Sequence, residues 1–267
     1  MLATLLDRSE GEPRPLGSEL TRRYGGELRF PTRRPWVFAN FVQSLDGVVS
    51  LAVPGKAHAS VISARNPDDR FLLGLLRVVA DAVVVGAGTL RQEPNSLWTP
   101  DQPVPDIRAD FAAARERMRL PPVPLTVLVT KSGELDLSLP VFNAGHRVLV
   151  LTTTEGAKRV GKSPRHVDVR VMVSGASSEI VEIAAAESGG GMILTEGGPT
   201  LFGEFVRERT VDELFLTIAP RVAGRDDERR RLALVEKAAF PADELREARL
   251  VSVKAADDYL FTRFATH

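Results

Sequence analysis

Short apolar runs that end in polar or glycine-rich turns constrain the fold of this chain more than any other feature. The clearest run is Ala82-Val83-Val84-Val85, which is apolar at every position and continues into Gly86-Ala87-Gly88-Thr89. A strand that is apolar at every position is typical of a parallel sheet covered by helices on both faces. Further strands are predicted at 36–42, 125–130, 147–151, 169–173, 192–195, 213–218, 248–254 and 259–264.

Helical patterns alternate with these strands. Asn66 is a predicted N-cap, Pro67 fits the first helical position, and an apolar stripe continues to Val79. We therefore expect an α/β fold, with a mixed, mostly parallel sheet flanked by helices. The last strands have little helix between them, which predicts an antiparallel C-terminal edge. Residues 1–35 are interpreted as an N-terminal arm and residues 36–267 as a single domain.

Composition excludes several classes of function. The 267 residues include no cysteine, so disulfides, thiolate metal sites and a cysteine nucleophile are ruled out. Only 4 histidines are present, and we predict no metal site. The 35 basic residues balance the 35 acidic ones, and this lack of net positive charge argues against general nucleic-acid binding.

The sequence also predicts no membrane segment. Its longest apolar runs fall far short of the roughly 20 residues that a spanning helix needs. The N-terminus lacks a basic region before its apolar residues, so no signal peptide is predicted. A cytoplasmic location is the resulting expectation.

Four predicted strands end in turns suited to a ligand, because open α/β sheets bind ligands at their carboxyl ends. The turns are Ser44-Leu45-Asp46-Gly47, Gly86-Ala87-Gly88-Thr89, Thr130-Lys131-Ser132-Gly133 and Glu196-Gly197-Gly198-Pro199-Thr200. Glycine lets backbone amides approach a phosphate, and a following helix adds its positive end. Each turn alone is compatible with a simple tight turn, but the four together favour a nucleotide site. The Rossmann and P-loop glycine motifs are absent.

Two acids in these turns are candidate functional residues. Glu196 follows a buried-looking strand, so its carboxylate either accepts hydrogen bonds from a heterocycle or interacts with the next helix start. Asp46 is either an acid of the cleft or the side chain of an Asx turn.

The charged residues of the helix after Asn66, and the lysine at 131, allow two interpretations each. Arg70 and Arg77 share a helix face, where they either clamp a phosphate or lie in solvent. Asp69 is a helix-start acid or a cleft acid. Lys131 is an exposed turn lysine or a contact for an additional cofactor phosphate.

Several segments in a fixed order carry a family resemblance. They are FVQSLDG at 41–47, LR at 76–77, ADAVVVGAGT at 80–89, EGGPTL at 196–201, and VDEL at 211–214 leading to AP at 219–220. From about Trp36 onward the chain resembles the C-terminal reductase domain of bacterial riboflavin-biosynthesis deaminase–reductases. No deaminase motif is present, so the chain is expected to be a stand-alone reductase.

The resemblance implies a dihydrofolate-reductase-like fold and an NADPH-dependent reductase, expected as a homodimer. The reaction implied is hydride transfer to C1′ of the opened ribosyl group of an aminopyrimidine 5′-phosphate. Asp46 and Glu196 are the predicted catalytic residues, and Arg70, Arg77, Asp69 and Glu196 the predicted substrate contacts. Predicted cofactor contacts are Val42, Gly86, Gly88, Thr89, Thr130, Lys131, Ser132, Gly197, Gly198, Pro199, Thr200 and Leu201.

Two other functions stay open at this point. The first keeps the fold and cofactor but reduces dihydrofolate or a dihydropterin. A cleft acid on the helix that contains Asp69 would favour it, and a clamp by Arg70 and Arg77 would oppose it. The second is a protein that binds NADPH without turning over a substrate.

Overall fold

The computed structural model describes residues 1–53 and 58–266. The strands are β1 (Ala3–Asp7), β2 (Glu12–Pro13), β3 (Arg29–Phe30), β4 (Trp36–Gln43), β5 (Ala82–Gly86), β6 (Leu125–Val129), β7 (Val148–Thr152), β8 (Val167–Val171), β9 (Met192–Thr195), β10 (Glu213–Ile218), β11 (Arg249–Ala256) and β12 (Tyr259–Ala265). The α-helices are α1 (Ser18–Tyr24), α2 (His58–Ile62), α3 (Pro67–Val79), α4 (Ala87–Gln92), α5 (Arg108–Arg117), α6 (Thr154–Val160), α7 (Ser177–Ser188) and α8 (Pro199–Arg207).

A ten-stranded sheet forms the centre of the protein, in the order β1-β11-β12-β10-β4-β9-β5-β6-β7-β8. Strands from β10 to β8 in this order run parallel, with β4 between β9 and β10. The C-terminal strands β11 and β12 add an antiparallel edge beside β10. The predicted fold class, with its mixed and mostly parallel sheet, is therefore confirmed.

Helices cover both faces of this sheet and create two apolar cores. Val83 and Val85 point into one core with Leu75 of α3, whereas Ala82 and Val84 point into the other with Ile180 of α7. The alternation of side chains along a strand explains why a doubly covered strand is apolar at every position.

Helix α3 begins as its sequence predicts. The Asn66 side chain accepts hydrogen bonds from the amides of Asp68 and Asp69, at 2.9 and 3.0 Å, and Pro67 takes the first helical position. At its other end, the buried Arg115 guanidinium donates to the carbonyls of Arg77, Val78 and Ala80. Both ends of the helix that contains Asp69, Arg70 and Arg77 are thereby fixed.

Residues 1–35 differ from the expected N-terminal arm. Strand β1 pairs with β11 at the sheet edge, and α1 buries Leu20 and Tyr24 in the main core. The buried Lys254 ammonium donates to Thr4 Oγ1 at 2.7 Å and to the Gly25 carbonyl at 3.1 Å. The edge strand is mostly exposed, so it shows no apolar period in the sequence. The segment is part of the sheet and its core.

Residues 94–124 connect β5 to β6 and contain α5, close to the helix expected in this charged and proline-rich stretch. Within residues 1–53 and 58–266, none of the helices has the length and apolarity needed to cross a bilayer.

Candidate active site

Three cavities lie at the carboxyl ends of β4, β5, β6 and β9. The inner pocket, about 120 Å³, is bounded by Asn40, Asp69, Arg77, Trp98 and Glu196, among others. The groove, about 470 Å³, extends past Gly86, Lys131 and Leu201. The outer pocket, about 470 Å³, includes Arg65, Arg70 and Glu93.

These cavities adjoin one another. The inner pocket and the groove share Thr89, Gln92, Gly198 and Pro199 in their walls. The inner and outer pockets share Arg77 and Glu93, among others. A ligand in the groove would therefore reach the inner pocket, and a second ligand would reach it from the outer pocket.

The predicted cofactor residues gather around this path. The groove is lined by Gly86, Gly88, Thr89, Thr130, Lys131, Ser132, Gly198, Pro199, Thr200 and Leu201. Val42 and Gly197 line the inner pocket. The structure thus brings together all twelve positions that the sequence analysis proposed as cofactor contacts.

The start of α8 is suited to an anionic group in the groove. Gly198 is the N-cap and has no side-chain cap, and Pro199 follows at the first helical position. Uncapped amides at a helix start attract phosphate through hydrogen bonds and the helix dipole. A Cβ at Gly197 would lie 2.7 Å from Leu201 Cδ2, so glycine permits the close turn before the helix.

Two cations line the groove. Lys131 is 78% exposed, and its ammonium lies 3.4 Å from the Glu204 carboxylate. Arg91 makes no ion pair within the described part of the chain, and the sequence analysis missed it because residues 86–89 were interpreted only as a turn. Helix α4 places Arg91 beside the groove.

A buried ion pair joins Arg77 to Glu196. The guanidinium donates Nε–H to Glu196 Oε1 at 2.7 Å and Nη2–H to Oε2 at 2.6 Å, and the side chains are 3% and 9% exposed. Arg77 Nη1 donates to the Thr99 carbonyl at 3.1 Å. Arg77 is therefore committed within the protein, and the predicted phosphate clamp of Arg70 and Arg77 does not form.

Arg70 instead lies in the outer pocket, where it is exposed together with Arg65. Neither arginine makes an ion pair with any residue in 1–53 or 58–266. Two unneutralised guanidinium groups in one pocket provide a site for a phosphate or carboxylate. Arg65 was not singled out in the sequence, because it precedes the helix that supplied the pattern.

Two carboxyl groups with altered acidity line the inner pocket. Burial raises the pKa of Asp69 to about 6, against the opposing effect of the Thr217 and Ser63 hydroxyls. Burial also raises the pKa of Glu93, which the Arg77 charge lowers and the Glu196 charge raises. Both groups therefore hold a proton more tightly than ordinary carboxyls. The sequence pattern did not indicate Glu93, because this residue lies in an irregular, proline-rich stretch.

Polar and aromatic groups complete the inner pocket. Asn40 Oδ1 is buried and accepts no hydrogen bond from the described residues, so it is available to a ligand donor. Trp98 is 1% exposed and forms part of the wall. A small, partly aromatic cavity with a free acceptor and two carboxyls of raised pKa fits a planar polar ring.

Asp46 lies outside all three cavities. Its carboxylate accepts hydrogen bonds from Ser44 Oγ at 2.6 Å and from the amides of Ala223 and Gly224 at 3.0 and 2.9 Å. The Ser44 hydroxyl and these amides lower the pKa of Asp46 to about 2. This geometry does not place Asp46 at the reacting atoms, so we do not assign it a proton-transfer role.

Comparison with known proteins identifies the family of this chain. The family model of the RibD C-terminal domain matches residues 35–259. The chain belongs to the RibD C-terminal domain family. This membership makes it an oxidoreductase, and it confirms the resemblance found in the sequence.

Two relatives are about a quarter identical to this chain over the aligned residues. It is 27% identical over 199 residues to the 2,5-diamino-6-ribosylamino-4(3H)-pyrimidinone 5′-phosphate reductase of Archaeoglobus fulgidus, covering 72% of this chain and 84% of that protein. It is 26% identical to the riboflavin biosynthesis protein RibD of Chlamydia pneumoniae, covering 74% of this chain and 49% of that protein. The chain thus spans about half the length of that relative.

A solved structure shares the fold. The pyrimidine reductase-like protein of Corynebacterium diphtheriae superposes with a TM-score of 0.73 at 23% identity, covering 94% of this chain and 99% of that one. This chain therefore has the same architecture as that solved protein.

The Arg77–Glu196 pair gives a first test. Glu196→Gln leaves the Arg77 charge buried without its counterion, so we expect a loss of about 3–5 kcal/mol in the free energy of unfolding. Urea unfolding measures this loss.

The double variant Arg77→Met/Glu196→Gln should recover part of that stability, because it leaves no unpaired buried charge. Glu155→Gln is the matched control, since it breaks an exposed pair with Lys158 and should cost less than about 1 kcal/mol. Equal losses for Glu196→Gln and Glu155→Gln would contradict the assigned role of the buried pair.

Asp69 gives a pH-dependent test. Because its folded pKa of about 6 exceeds the unfolded value of roughly 3.9, the folded protein binds this proton more tightly. The Asp69 contribution to stability is thus fully present below about pH 4 and is lost as the pH rises through about 6. Asp69→Asn should remove this part of the pH dependence, measured by urea unfolding across that range. Asp68→Asn, on the same helical turn, should retain it.

Proposed function

We propose that this chain is an NADPH-dependent reductase acting on a ribosylaminopyrimidine 5′-phosphate. The observation that carries the proposal is the continuity of the groove with the inner pocket through Thr89 and Gly198. A dinucleotide could therefore lie along the groove and place its reacting ring in the inner pocket. The names of the relatives support a reductase of riboflavin biosynthesis.

The groove residues fit NADPH. The α8 start suits a pyrophosphate, and Lys131 and Arg91 supply cations for an additional phosphate. Asn40 Oδ1 offers an acceptor in the inner pocket for a carboxamide or amino group. When bound, NADPH supplies a hydride from its nicotinamide ring.

The substrate is proposed to enter from the outer pocket. Arg65 and Arg70 would hold its 5′-phosphate, while its sugar and base extend past Arg77 into the inner pocket. Phosphate contacts remote from the reacting atoms orient the substrate for hydride transfer.

The chemistry needs one hydride and one proton. Reduction of the open-chain imine places the hydride on C1′ and the proton on the attached nitrogen. Asp69 and Glu93 line the pocket and hold protons more tightly than ordinary carboxyls, so either can supply that proton. Glu196 acts by neutralising Arg77 and fixing its position.

A second candidate function rests on Asp69. A partly buried acid on α3 that lines the inner pocket is the feature that favours a dihydropterin or dihydrofolate, and Arg77 does not form the opposing clamp. The exposed Arg65 and Arg70 in the adjoining pocket favour the phosphorylated substrate. The cytoplasmic location and the homodimer remain predictions.

NADPH oxidation by the purified protein separates the candidates. The two kinds of acceptor, tested in parallel, are the ribosylaminopyrimidine 5′-phosphate, both as the 2,5-diamino compound for which the Archaeoglobus fulgidus relative is named and as its deaminated form, and dihydrofolate. Oxidation with the first alone supports the proposed function, and oxidation with dihydrofolate alone supports the second candidate. Oxidation with neither, despite NADPH binding, would contradict both and leave a binding protein.

Lys131 tests the cofactor assignment. Lys131→Glu places a second acid beside Glu204, so the affinity for NADPH should fall by about tenfold or more while that for NADH changes much less. Fluorescence titration with both nucleotides measures the difference. Lys158→Glu, a similarly exposed charge reversal on α6, is the control and should change neither affinity. Equal losses for the two nucleotides would remove Lys131 from the phosphate site.

A further inference from the structure

Residues 221–236, which we call the strap, follow β10 and contact the turn region 44–51. The Leu45 amide donates to the Arg221 carbonyl at 2.7 Å. Leu232 and the turn region exchange two backbone hydrogen bonds, Leu232 N–H to the Ser50 carbonyl at 2.9 Å and Val49 N–H to the Leu232 carbonyl at 3.0 Å. These two segments therefore form one unit.

This unit forms part of the wall of the groove and part of the wall of the inner pocket. Leu232 of the strap lines the groove, whereas Val49 and Ser50 of the turn region line the inner pocket. The Glu236 amide donates to the Pro199 carbonyl at 3.1 Å, at the start of α8. A displaced strap would open the groove on one side and release the residues that bound the inner pocket.

Asp46 connects the two segments through its side chain. Oδ1 accepts from the Ala223 amide at 3.0 Å and Oδ2 accepts from the Gly224 amide at 2.9 Å. Ser44 Oγ donates to Oδ1 at 2.6 Å and also accepts from the Val48 amide at 3.0 Å, which orients the carboxylate. Hydrogen bonds to an ionised acceptor are stronger than those between neutral groups.

Other groups that face this junction are basic. Arg225 Nη2 donates to the Gly47 carbonyl at 3.4 Å, and Arg231 Nη1 donates to the Leu51 carbonyl at 2.8 Å. Because the pKa of Asp46 is lowered to about 2, its carboxylate is ionised at neutral pH and holds both amides. Its protonation requires strongly acidic solution.

We propose that Asp46 is a positioning residue, whose carboxylate clamps the strap to the turn region and so holds Leu232, Val49 and Ser50 where they complete the groove and the inner pocket. The proposal rests on the proposed reductase function for its kinetic consequence. Its structural consequence, the closure of the strap, is independent of the reaction.

Trypsin reports on the strap directly. The strap contains Arg221, Arg225, Arg229, Arg230 and Arg231, and trypsin cleaves after arginine in locally opened segments. Asp46→Ala should be cut there about tenfold faster than wild type, because cleavage follows the population of the opened form. Asp46→Asn keeps one oxygen but loses the second acceptor, so its rate should lie between the two.

Ligand binding and kinetics supply the second readout. In Asp46→Ala the dissociation constant for NADPH and the KM values should rise more than kcat falls, since the cavity walls loosen while the reacting groups remain. The shape of the pH–rate profile should be unchanged, and Asp46→Asn should restore part of the affinity. A catalytic acid would instead lose kcat and one limb of the profile, with strap cleavage unchanged.

Asp136→Ala is the matched control. Asp136 is an exposed carboxylate that accepts from Ser138 N–H and Oγ–H, outside all three cavities. It should alter neither trypsin cleavage of the strap nor NADPH affinity. Wild-type rates of cleavage and wild-type NADPH affinity in Asp46→Ala would overturn the clamp, whichever substrate is reduced. Absence of turnover in wild type would refute the proposed function alone, since trypsin cleavage and NADPH affinity are measured without any reaction.

Discussion

The buried pair of Arg77 and Glu196 sets the arrangement of the site, because it joins α3 to the turn between β9 and α8. Both side chains are buried, and each charge would be destabilising without the other. Their two parallel hydrogen bonds fix how these elements lie relative to each other. Arg77 also donates to Thr99, and Arg115 fixes the end of α3. The inner and outer pockets share Arg77 in their walls, so this contact fixes part of the boundary between them.

Neutralisation of Arg77 also determines the charge that a ligand meets. The outer pocket keeps a positive charge through Arg65 and Arg70, which lie in solvent and bind no acid of the described residues. The inner pocket is different, since burial favours the protonated forms of Asp69 and Glu93. An anionic group is thus favoured outside and a neutral polar ring inside. This separation suits a phosphorylated substrate whose reacting part enters the inner pocket.

Local patterns in the sequence predicted the strands, the Asn66 cap and the four turns, because each depends on neighbouring residues. The rule that parallel strands place their carboxyl ends together also grouped the four turns, and the family resemblance supplied the individual cofactor contacts. The local patterns did not predict that Arg77 is paired with Glu196, which is 119 positions away. Nor did they identify Asn40, Glu93 and Trp98, whose side chains meet only through the tertiary fold. The edge strand β1 was missed because it is mostly exposed on both faces and so shows no apolar period.

The walls of the groove differ in how they are held, and this difference bears on how a ligand enters. The turns after β5 and β6 extend from central strands whose ladders are buried on both faces, so moving them disrupts both cores. The strap is attached by a few backbone hydrogen bonds, by the Asp46 carboxylate and by the Arg225 and Arg231 side chains. Leu234 and Val235 pack against one core, but most of the strap residues are exposed. Opening the strap therefore requires less free energy than moving the turns that follow β5 and β6. A dinucleotide that needs room to enter would displace the strap and leave the strand ends in place.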